Sequence, residues 1–477
     1  MTRQPNILLF ESDQQRTDTM ACYGNDWIKS PNLNRLADES YVFENAYVTQ
    51  AVCTPSRGSL MTGLYPHSHG CMINKTQLHE DIKSIAEMLP DNYRKAHFGK
   101  WHLGNDTLKQ HGFDEWISTE DSHREANTTP DLPFSDYYNW MREQGVEPED
   151  PGAFGGKLFA GPQRNGLPAE QQMAAFVGNH SERFIRDNQD DPWLLVFSTF
   201  EPHPPMTGPY DGMYDGEDLP VGPAFLKQPE GASLFNRARG EHYPGQTLHG
   251  EDLSTEAGWR KLRAQYFGNV KIIDDAVGRI LDALEETGQL DNTIIAFTTD
   301  HGEMAGDHSM LEKRAFYEES ARIPMLLRVP WMNKSQTKID GVFGHVDLVP
   351  TLLELAGQEA PDELQGESRV GVLKGEDDLL ENAVFMEWNG IGDRGLGNPL
   401  INLMATLPWR CVVTGDRWKL NLCAGDQSEL FDLNSDPYEM VNLFNDPAHK
   451  DRVRQMAALI SLWQHDTGDT VALPSVK

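Results

Sequence analysis

The sequence predicts an α/β protein. A large domain over residues 1–374 is expected to hold a mostly parallel central sheet flanked by helices, and a smaller C-terminal α+β domain over 375–477 an antiparallel sheet. Three observations carry this. Apolar runs of strand length alternate with helical patterns up to about residue 355, the rhythm of strand–helix–strand units. Several of those runs end in polar clusters with Asp or His, and in parallel sheets chemistry collects at the carboxyl ends of strands. After about residue 375 the texture changes to short strands followed by one helix.

The elements follow in order. Asn6 to Phe10 reads as a buried strand ending in Glu11-Ser-Asp-Gln-Gln-Arg16. A helix is expected from about Asn32 to Glu39, with Pro31 suited to its first turn. Tyr41 to Ala46 reads as a strand, Ile82 to Leu89 as a short helix, and Arg94 to Phe98 as a strand running into Gly99-Lys-Trp-His102. The stretches 118–170 and 206–255 lack strong periodicity and read as insertions. Between them, Trp193 to Thr199 is an apolar strand leading into Glu201-Pro-His-Pro-Pro205. Phe267, Val270, Ile273, Val277, Ile280, Leu281 and Leu284 fall at helical spacing. Thr293 to Phe297 and Pro324 to Val329 read as strands, and Asp347 to Leu355 as a helix. Strands at Val384 to Glu387, Arg410 to Thr414 and Trp418 to Leu422 precede a helix over about 449–464.

Composition narrows the function. The 477 residues are 39% hydrophobic and 24% charged, enough apolar material for a core. No apolar run approaches the ~18 residues of a membrane span. With 41 basic and 73 acidic residues, the net charge of −32 argues against nucleic-acid or anionic-membrane partners. A small anionic substrate stays compatible, because a few cations inside a cleft override the mean field. The five cysteines (22, 53, 71, 411 and 423) are odd in number and lack metal-ligand spacing, so a reducing compartment is expected. The first apolar run is too short for a signal-peptide core, which points to a cytoplasmic protein.

Strand ends carry Asp13-Gln14, His203 and Asp300-His301. A single Asp after a strand is commonly a turn residue. Two strand ends offering Asp-Gln and Asp-His can together ligate a divalent cation. Ala51-Val-Cys-Thr-Pro-Ser-Arg-Gly-Ser-Leu-Met-Thr-Gly63 reads as a Cys-x-Pro-x-Arg loop entering a helix. Cys53 is either a simple buried thiol or a reactive one at a helix N-terminus. In the second reading, Arg57 one turn later would suit a tetrahedral oxyanion.

That segment resembles the signature of the type I, formylglycine-dependent sulfatases of the alkaline-phosphatase superfamily, from Cys53-Thr-Pro-Ser-Arg57 through Leu60-Met-Thr-Gly63. Tyr93-Arg-Lys-Ala-His-Phe-Gly-Lys-Trp-His102 resembles the second signature, departing at Asn92 and Phe98. Further resemblances are Pro31–Ala37, Thr298–Glu303, His345–Thr351 and Glu429–Pro437, so most of residues 5–450 is covered.

The resemblance implies an alkaline-phosphatase-like fold and a mechanism. Cys53 would be oxidised by a formylglycine-generating maturation enzyme, and one hydroxyl of the hydrated aldehyde would attack sulfur. The second hydroxyl would then release sulfate by re-forming the aldehyde. The implied metal shell is Asp13, Gln14, Asp300, His301 and residue 53. Gln14 and His301 stand where many members have Asp and Asn, so Ca²⁺ is expected first, with Mg²⁺ or Mn²⁺ as alternatives. The implied catalytic set is Cys53, Arg57, Lys100, His102, His203 and Lys313. In it Arg57 orients the nucleophile, Lys100 and Lys313 screen sulfate oxygens, His203 protonates the leaving oxygen and His102 accepts a proton. Lys100, His203 and Lys313 would thereby also bind the substrate.

The expected activity is hydrolysis of a sulfate ester, most simply on a short sulfated saccharide. Rival readings are a phosphonate monoester or phosphodiester hydrolase of the same superfamily and a non-catalytic binding protein on this scaffold. His345 and Asp347 are expected to cap the 347–355 helix, His67 and His69 to shape the loop after the signature helix, and the 11 tryptophans to be mostly core, with Trp101 and Trp388 as candidates to line a sugar pocket.

Overall fold

The computed structural model describes residues 4–121, 133–147, 166–392 and 396–476. Its main sheet has eight strands, in the order Thr337–Ile339, Tyr41–Phe43, Leu326–Arg328, Thr293–Thr299, Asn6–Ser12, Trp193–Ser198, Arg94–Gly99 and Glu115–Ser118. All run parallel except Leu326–Arg328, which is antiparallel to both neighbours. Asn6–Ser12 is buried along its whole length, as are Trp193–Ser198 and Thr293–Thr299. Helices cover both faces of such a sheet, so these strands read as unbroken apolar runs instead of alternating ones.

Register positions the chemistry. Ser12 lies opposite Thr299, Glu11 opposite Ser198, and Gly99 opposite Ser198. Four parallel strands therefore end level with one another. The residues that follow, Asp13, Lys100, Thr199 and Asp300, emerge side by side on one rim, where neighbouring strands are about 4.8 Å apart.

The helices are close to expectation. Pro31–Asp38 and Met173–Asp187 both pack on the 31-residue Glu256–Glu286. Cys53–Thr62 and Leu348–Leu355 form a second contacting pair. The strand expected over Tyr41–Ala46 is split, because Ala46–Tyr47 leaves the main sheet to pair with Arg322–Ile323 and Phe343–Gly344. The insertions hold structure that periodicity did not show: a helix over Asp136–Glu143, another over Leu234–His242, and a hairpin of Thr247–Leu248 with Glu251–Asp252.

The C-terminal sheet is antiparallel in the order Ala383–Trp388, Trp409–Thr414, Trp418–Cys423 and Glu429–Asp432. Helix Lys450–Thr467 covers it through Val453, Met456, Ile460 and Trp463, which pack on Val412, Leu420 and Leu422. This unit shares the main apolar core of the large one through Val384, Met386, Val413 and Phe431, and polar contacts add to the join. The Glu387 amide donates to the Thr49 carbonyl at 2.8 Å. Lys419 reaches Glu318 at 2.8 Å. No helix among the described residues is long and apolar enough to cross a membrane.

Candidate active site

Cys53 is the first residue of the helix Cys53–Thr62. Val52 before it is extended and offers no capping side chain. Asn74 Oδ1 instead accepts from the Thr54 amide at 3.0 Å, satisfying one of the helix's orphan donors. Pro55 in the first turn has no N–H that needs a partner. Gly58 is required one turn on, since a Cβ there would stand 2.4 Å from the His69 ring. His69 in turn bonds Ser59 Oγ at 3.2 Å and the Pro55 carbonyl at 3.2 Å, bracing the helix from behind.

The structure brings the residues of the implied metal and catalytic sets together around Cys53 or its neighbours. His301 Nδ1 lies 2.9 Å from the Gly302 carbonyl and donates to it, so Nε2, 3.2 Å from Cys53 Sγ, is the nitrogen that can ligate a cation when the ring is neutral. His102 and His203 also bond Cys53. His102 is held at φ 58°, its amide donating to Asp106 at 2.9 Å and its carbonyl accepting from Thr54 at 2.8 Å. His203 is partly exposed and packs on the Phe200 ring at 4.7 Å.

Arg57 braces the rim. Its Nη2 reaches Asp13 at 3.0 Å, Nε reaches Asp300 at 3.0 Å, and Nη1 reaches Glu11 at 3.1 Å and Ser198 Oγ at 2.8 Å. With its donors engaged by these strand ends, Arg57 positions carboxylates and does not face a substrate anion. Lys100 lies 2.8 Å from Asp13 and 3.6 Å from Glu120. Lys313 donates to Gln14 Oε1 at 2.6 Å.

Asp13, Cys53, Asp300 and His301 place one ligand atom each within 4.8 Å of one another, all buried. Asp13 Oδ1 is buried with no hydrogen-bond partner among the described residues. Two carboxylates, one of them with an orphaned oxygen, and an imidazole nitrogen fit a divalent cation. Gln14, at φ 66°, adjoins this cluster: its amide donates to Asp300 Oδ1 at 3.0 Å. Its side-chain nitrogen bonds Glu303, and its oxygen keeps one lone pair beyond the Lys313 bond.

The electrostatics agree with a cation-demanding site. Burial raises Asp13, but Lys100, His203 and Arg57 pull it below the usual carboxylate range. Burial and the adjacent Asp13 push Asp300 up to about 6. Burial also raises the Cys53 thiol, and Lys313, Lys100 and His301 more than reverse this, leaving it well below an ordinary thiol. Burial and Lys313 lower His203 to about 4.

Three residues were not foreseen. Glu11, which pairs with Arg57, is a lone charge inside the apolar strand NILLFES, and that anomaly was a usable signal. Glu303 accepts from the Ala305 and Glu312 amides at 2.9 and 2.6 Å, shaping the turn that delivers Lys313. Glu120 had no signal; it arrives from the end of the Glu115–Ser118 edge strand. Other expectations need correction. Asp347 does not cap the 348–355 helix; its carboxylate holds the Glu367 amide and Arg369 at 2.9 and 3.0 Å. His345 bonds Ser56 at 3.1 Å, supporting the signature helix. Trp101 is a core residue, sealed in a cluster with His97, Phe113 and Trp116, which rules out only the alternative that it lines a pocket.

The family model described as Sulfatase matches residues 5–358. The chain belongs to the sulfatase family. Such sulfatases generally use formylglycine and a divalent metal, and their class is sulfuric ester hydrolase. A second family model, N-sulphoglucosamine sulphohydrolase, C-terminal, matches residues 306–466 of this sulfatase.

Among similar proteins is the "Multifunctional alkaline phosphatase superfamily protein PehA" of Trinickia caryophylli, 30% identical over 98% of this chain and 96% of its own. The N-acetylglucosamine-6-O-sulfatase of Bacteroides thetaiotaomicron is 26% identical over 98% of this chain and 88% of its own. Two solved structures share the fold with a TM-score of 0.80. One, a complex with its substrate D-glucosamine-2-N,6-O-disulfate, is 23% identical and covers 98% of this chain and 99% of its own. The other, a phosphonate monoester hydrolase from Silicibacter pomeroyi, is 24% identical and covers 97% of this chain and 96% of its own.

Proposed function

We propose that this sulfatase hydrolyses the sulfate ester of a short saccharide, using residue 53 as formylglycine beside a divalent cation held by Asp13, Gln14, Asp300, His301 and residue 53. One observation carries the reading. The residue-53 side chain stands 3.2 Å from His301 Nε2, inside the carboxylate cluster and among Lys100, His102, His203 and Lys313.

A cation held by Asp13, Gln14, Asp300, His301 and residue 53, Ca²⁺ first and Mg²⁺ or Mn²⁺ otherwise, would supply positive charge that favours ionisation of a hydroxyl of the hydrated aldehyde and offsets the charge of the sulfate. Lys100 and Lys313 neutralise the remaining sulfate oxygens. His203, on the open side, is placed to give the leaving alcohol its proton. The anionic substrate favours its charged form, against the burial and Lys313 that hold it down. His102, buried against residue 53, is placed to take a proton from it. Arg57 fixes Asp13 and Asp300 throughout.

The saccharide is supported by the N-sulphoglucosamine description of the second family model and by the N-acetylglucosamine-6-O-sulfatase relative. The net charge of −32 disfavours a long polyanion through repulsion. A phosphonate monoester or phosphodiester hydrolase is the second reading, favoured by the equal TM-score of 0.80 to a phosphonate monoester hydrolase.

The test uses protein co-produced with a formylglycine-generating enzyme. The peptide containing residue 53 should lose its thiol mass and carry an aldehyde or its hydrate. Sulfated monosaccharides should be turned over with higher kcat/KM than a phosphonate monoester or a phosphodiester. The reverse order selects the second reading. Full activity with an unmodified Cys53 refutes the formylglycine mechanism, and inactivity of modified, metal-loaded protein on every ester class favours a binding protein.

A further inference from the structure

Before modification, position 53 carries sulfur, and sulfur changes which metal the rim suits. Cys53 Sγ lies 3.2 Å from His301 Nε2, which lies 3.5 Å from Asp300 Oδ1. Asp13 joins them, with one atom of each of the four residues within 4.8 Å of the others, all buried. Ca²⁺ takes six to eight oxygens, and sulfur is a poor substitute for one of them. A thiolate, an imidazole nitrogen and two carboxylate oxygens are instead the donor set of four-coordinate Zn²⁺.

The distances suit that ion. Zn–S bonds of about 2.3 Å and Zn–N or Zn–O bonds of about 2.0–2.2 Å put neighbouring ligand atoms of a tetrahedron about 3.3–3.6 Å apart. The Sγ–Nε2 and Nε2–Oδ1 separations of 3.2 and 3.5 Å already lie close to those edges. The ligands are also aimed. His301 Nδ1 is tied to the Gly302 carbonyl at 2.9 Å, which turns Nε2 inward. Arg57 holds the outer oxygen, Oδ2, of both Asp13 and Asp300 at 3.0 Å. Asp13 Oδ1 is left buried with no hydrogen-bond partner among the described residues.

Charge and competition point the same way. A thiolate and two carboxylates bring three negative charges, one more than a divalent ion cancels, and Arg57 and Lys100 lie at 3.0 and 2.8 Å from Asp13 to offset the excess. His102 and His203 also bond Cys53, so the nitrogen donors around the sulfur outnumber those of an oxygen-ligated calcium site. The other thiols, Cys22, Cys71, Cys411 and Cys423, belong to no such cluster among the described residues.

We propose that the protein with an unmodified Cys53 is a zinc-binding protein, in which Cys53 Sγ, His301 Nε2, Asp13 and Asp300 hold one Zn²⁺ or another soft divalent ion. On binding, Cys53 gives its thiol proton to solvent and its sulfur takes up the metal, with no change of oxidation state. Residue 53 thereby sets the metal preference of the rim, soft as a thiol and hard once an oxygen replaces the sulfur. This inference goes beyond the sulfate-ester reading and stands on the donor set of the thiol form alone.

The test uses the full chain produced without a formylglycine-generating enzyme, its Cys53 thiol verified by mass spectrometry and its metals removed by chelation. Co²⁺ serves as the optical probe for Zn²⁺. One equivalent should bind, with a sulfur-to-cobalt charge-transfer band in the near ultraviolet and the strong visible bands of a four-coordinate ion. One equivalent of Zn²⁺ should bleach both, and Ca²⁺ in about hundredfold excess should not. Cys53→Ser should lose the near-ultraviolet band. Its Zn²⁺ affinity, read by competition with a chromogenic chelator, should fall about a hundredfold or more, beyond the cost of losing a mere hydrogen-bond partner of a ligand. The metal-free melting temperature shows whether that variant folds. Wild type carrying formylglycine makes the same comparison without a substitution: it should lack the sulfur band and favour Ca²⁺ over Zn²⁺ more than the thiol form does.

No binding of Co²⁺, a cobalt complex without the sulfur band, a band that survives Cys53→Ser, or displacement of Co²⁺ by equimolar Ca²⁺ overturns the proposal. Turnover of sulfate esters is measured on modified protein and is indifferent to these outcomes, so the two readings fail separately.

Discussion

Two buried lysines with the same chemistry show how a support differs from a site. Lys419, at the seam between the two sheets, meets Glu318 at 2.8 Å, Glu439 at 2.7 Å and the Phe316 carbonyl at 2.7 Å. An ammonium has three donors, and all three are engaged. Lys313, on the loop after the Thr293–Thr299 strand, has a single partner among the described residues, Gln14 Oε1 at 2.6 Å. Two of its donors are left for oxygens the protein does not supply. Asp13 Oδ1, orphaned and buried in the Cys53 cluster, shows the same incompleteness with the opposite sign. A seam is satisfied from within, whereas a site is built to be completed by what binds.

Replacing residue 53 breaks the comparison most directly. Cys53→Ala should lower kcat/KM by about 10⁴ or more, as loss of a nucleophile does, and leave the melting temperature within a few degrees. Calorimetry beside a rate assay separates the two effects. Large destabilisation would mean that residue 53 is a structural thiol.

His203→Ala should cost about 10²–10⁴ in rate on a sulfated sugar, whose alcohol leaves poorly. The cost on 4-nitrophenyl sulfate should be far smaller, because nitrophenolate leaves without a proton. Equal losses on both substrates would remove the acid role from His203.

The lysines themselves sharpen the contrast. Lys313→Met should reduce kcat/KM about 10²–10³-fold with little change in stability. Lys419→Met leaves two buried carboxylates facing each other. It should destabilise by about 3–5 kcal/mol in denaturant titrations, with kcat of the folded fraction retained. Swapped outcomes would mean that the roles are reversed.

The smallest effect concerns the other seam contact, His67 with Glu387 at 2.6 Å. Burial lowers His67, but the Glu387 bond and charge outweigh it and raise the group above its ordinary 6.5. A raised histidine stabilises fully below its unfolded pKa and loses that contribution as pH rises through the folded one. The stability gap between wild type and His67→Asn should therefore be widest below about pH 6.5 and shrink above it. A gap that widens with pH would contradict the pair.

Much of the site was legible in the sequence because its residues follow strand ends, and strands buried on both faces are conspicuous as apolar runs. Asp13 and Asp300 could be placed from Asn6–Ser12 and Thr293–Thr299 alone. Glu120 could not, since its edge strand, Glu115–Ser118, is short and half-exposed and carries no apolar run. The role of Arg57 was only half legible. Its position one turn after Cys53 suited an oxyanion equally well, until three carboxylates from two strands were found around it.

The sequence alone determined the fold class, the order of the elements, the residue-53 signature and the titratable groups that cluster with it. These are local matters of apolar periodicity, helix starts and residue chemistry. Only the tertiary structure decided which groups are satisfied and which are left open. It turned His345 and Asp347 into braces, sealed Trp101 in a core, and set Trp388 and Trp409 beside the loop of Cys53. Hydrogen-bond completeness depends on partners hundreds of residues away, as when Cys53 meets His301 across 248 positions of chain. Parallel register, which no local pattern encodes, brings them together.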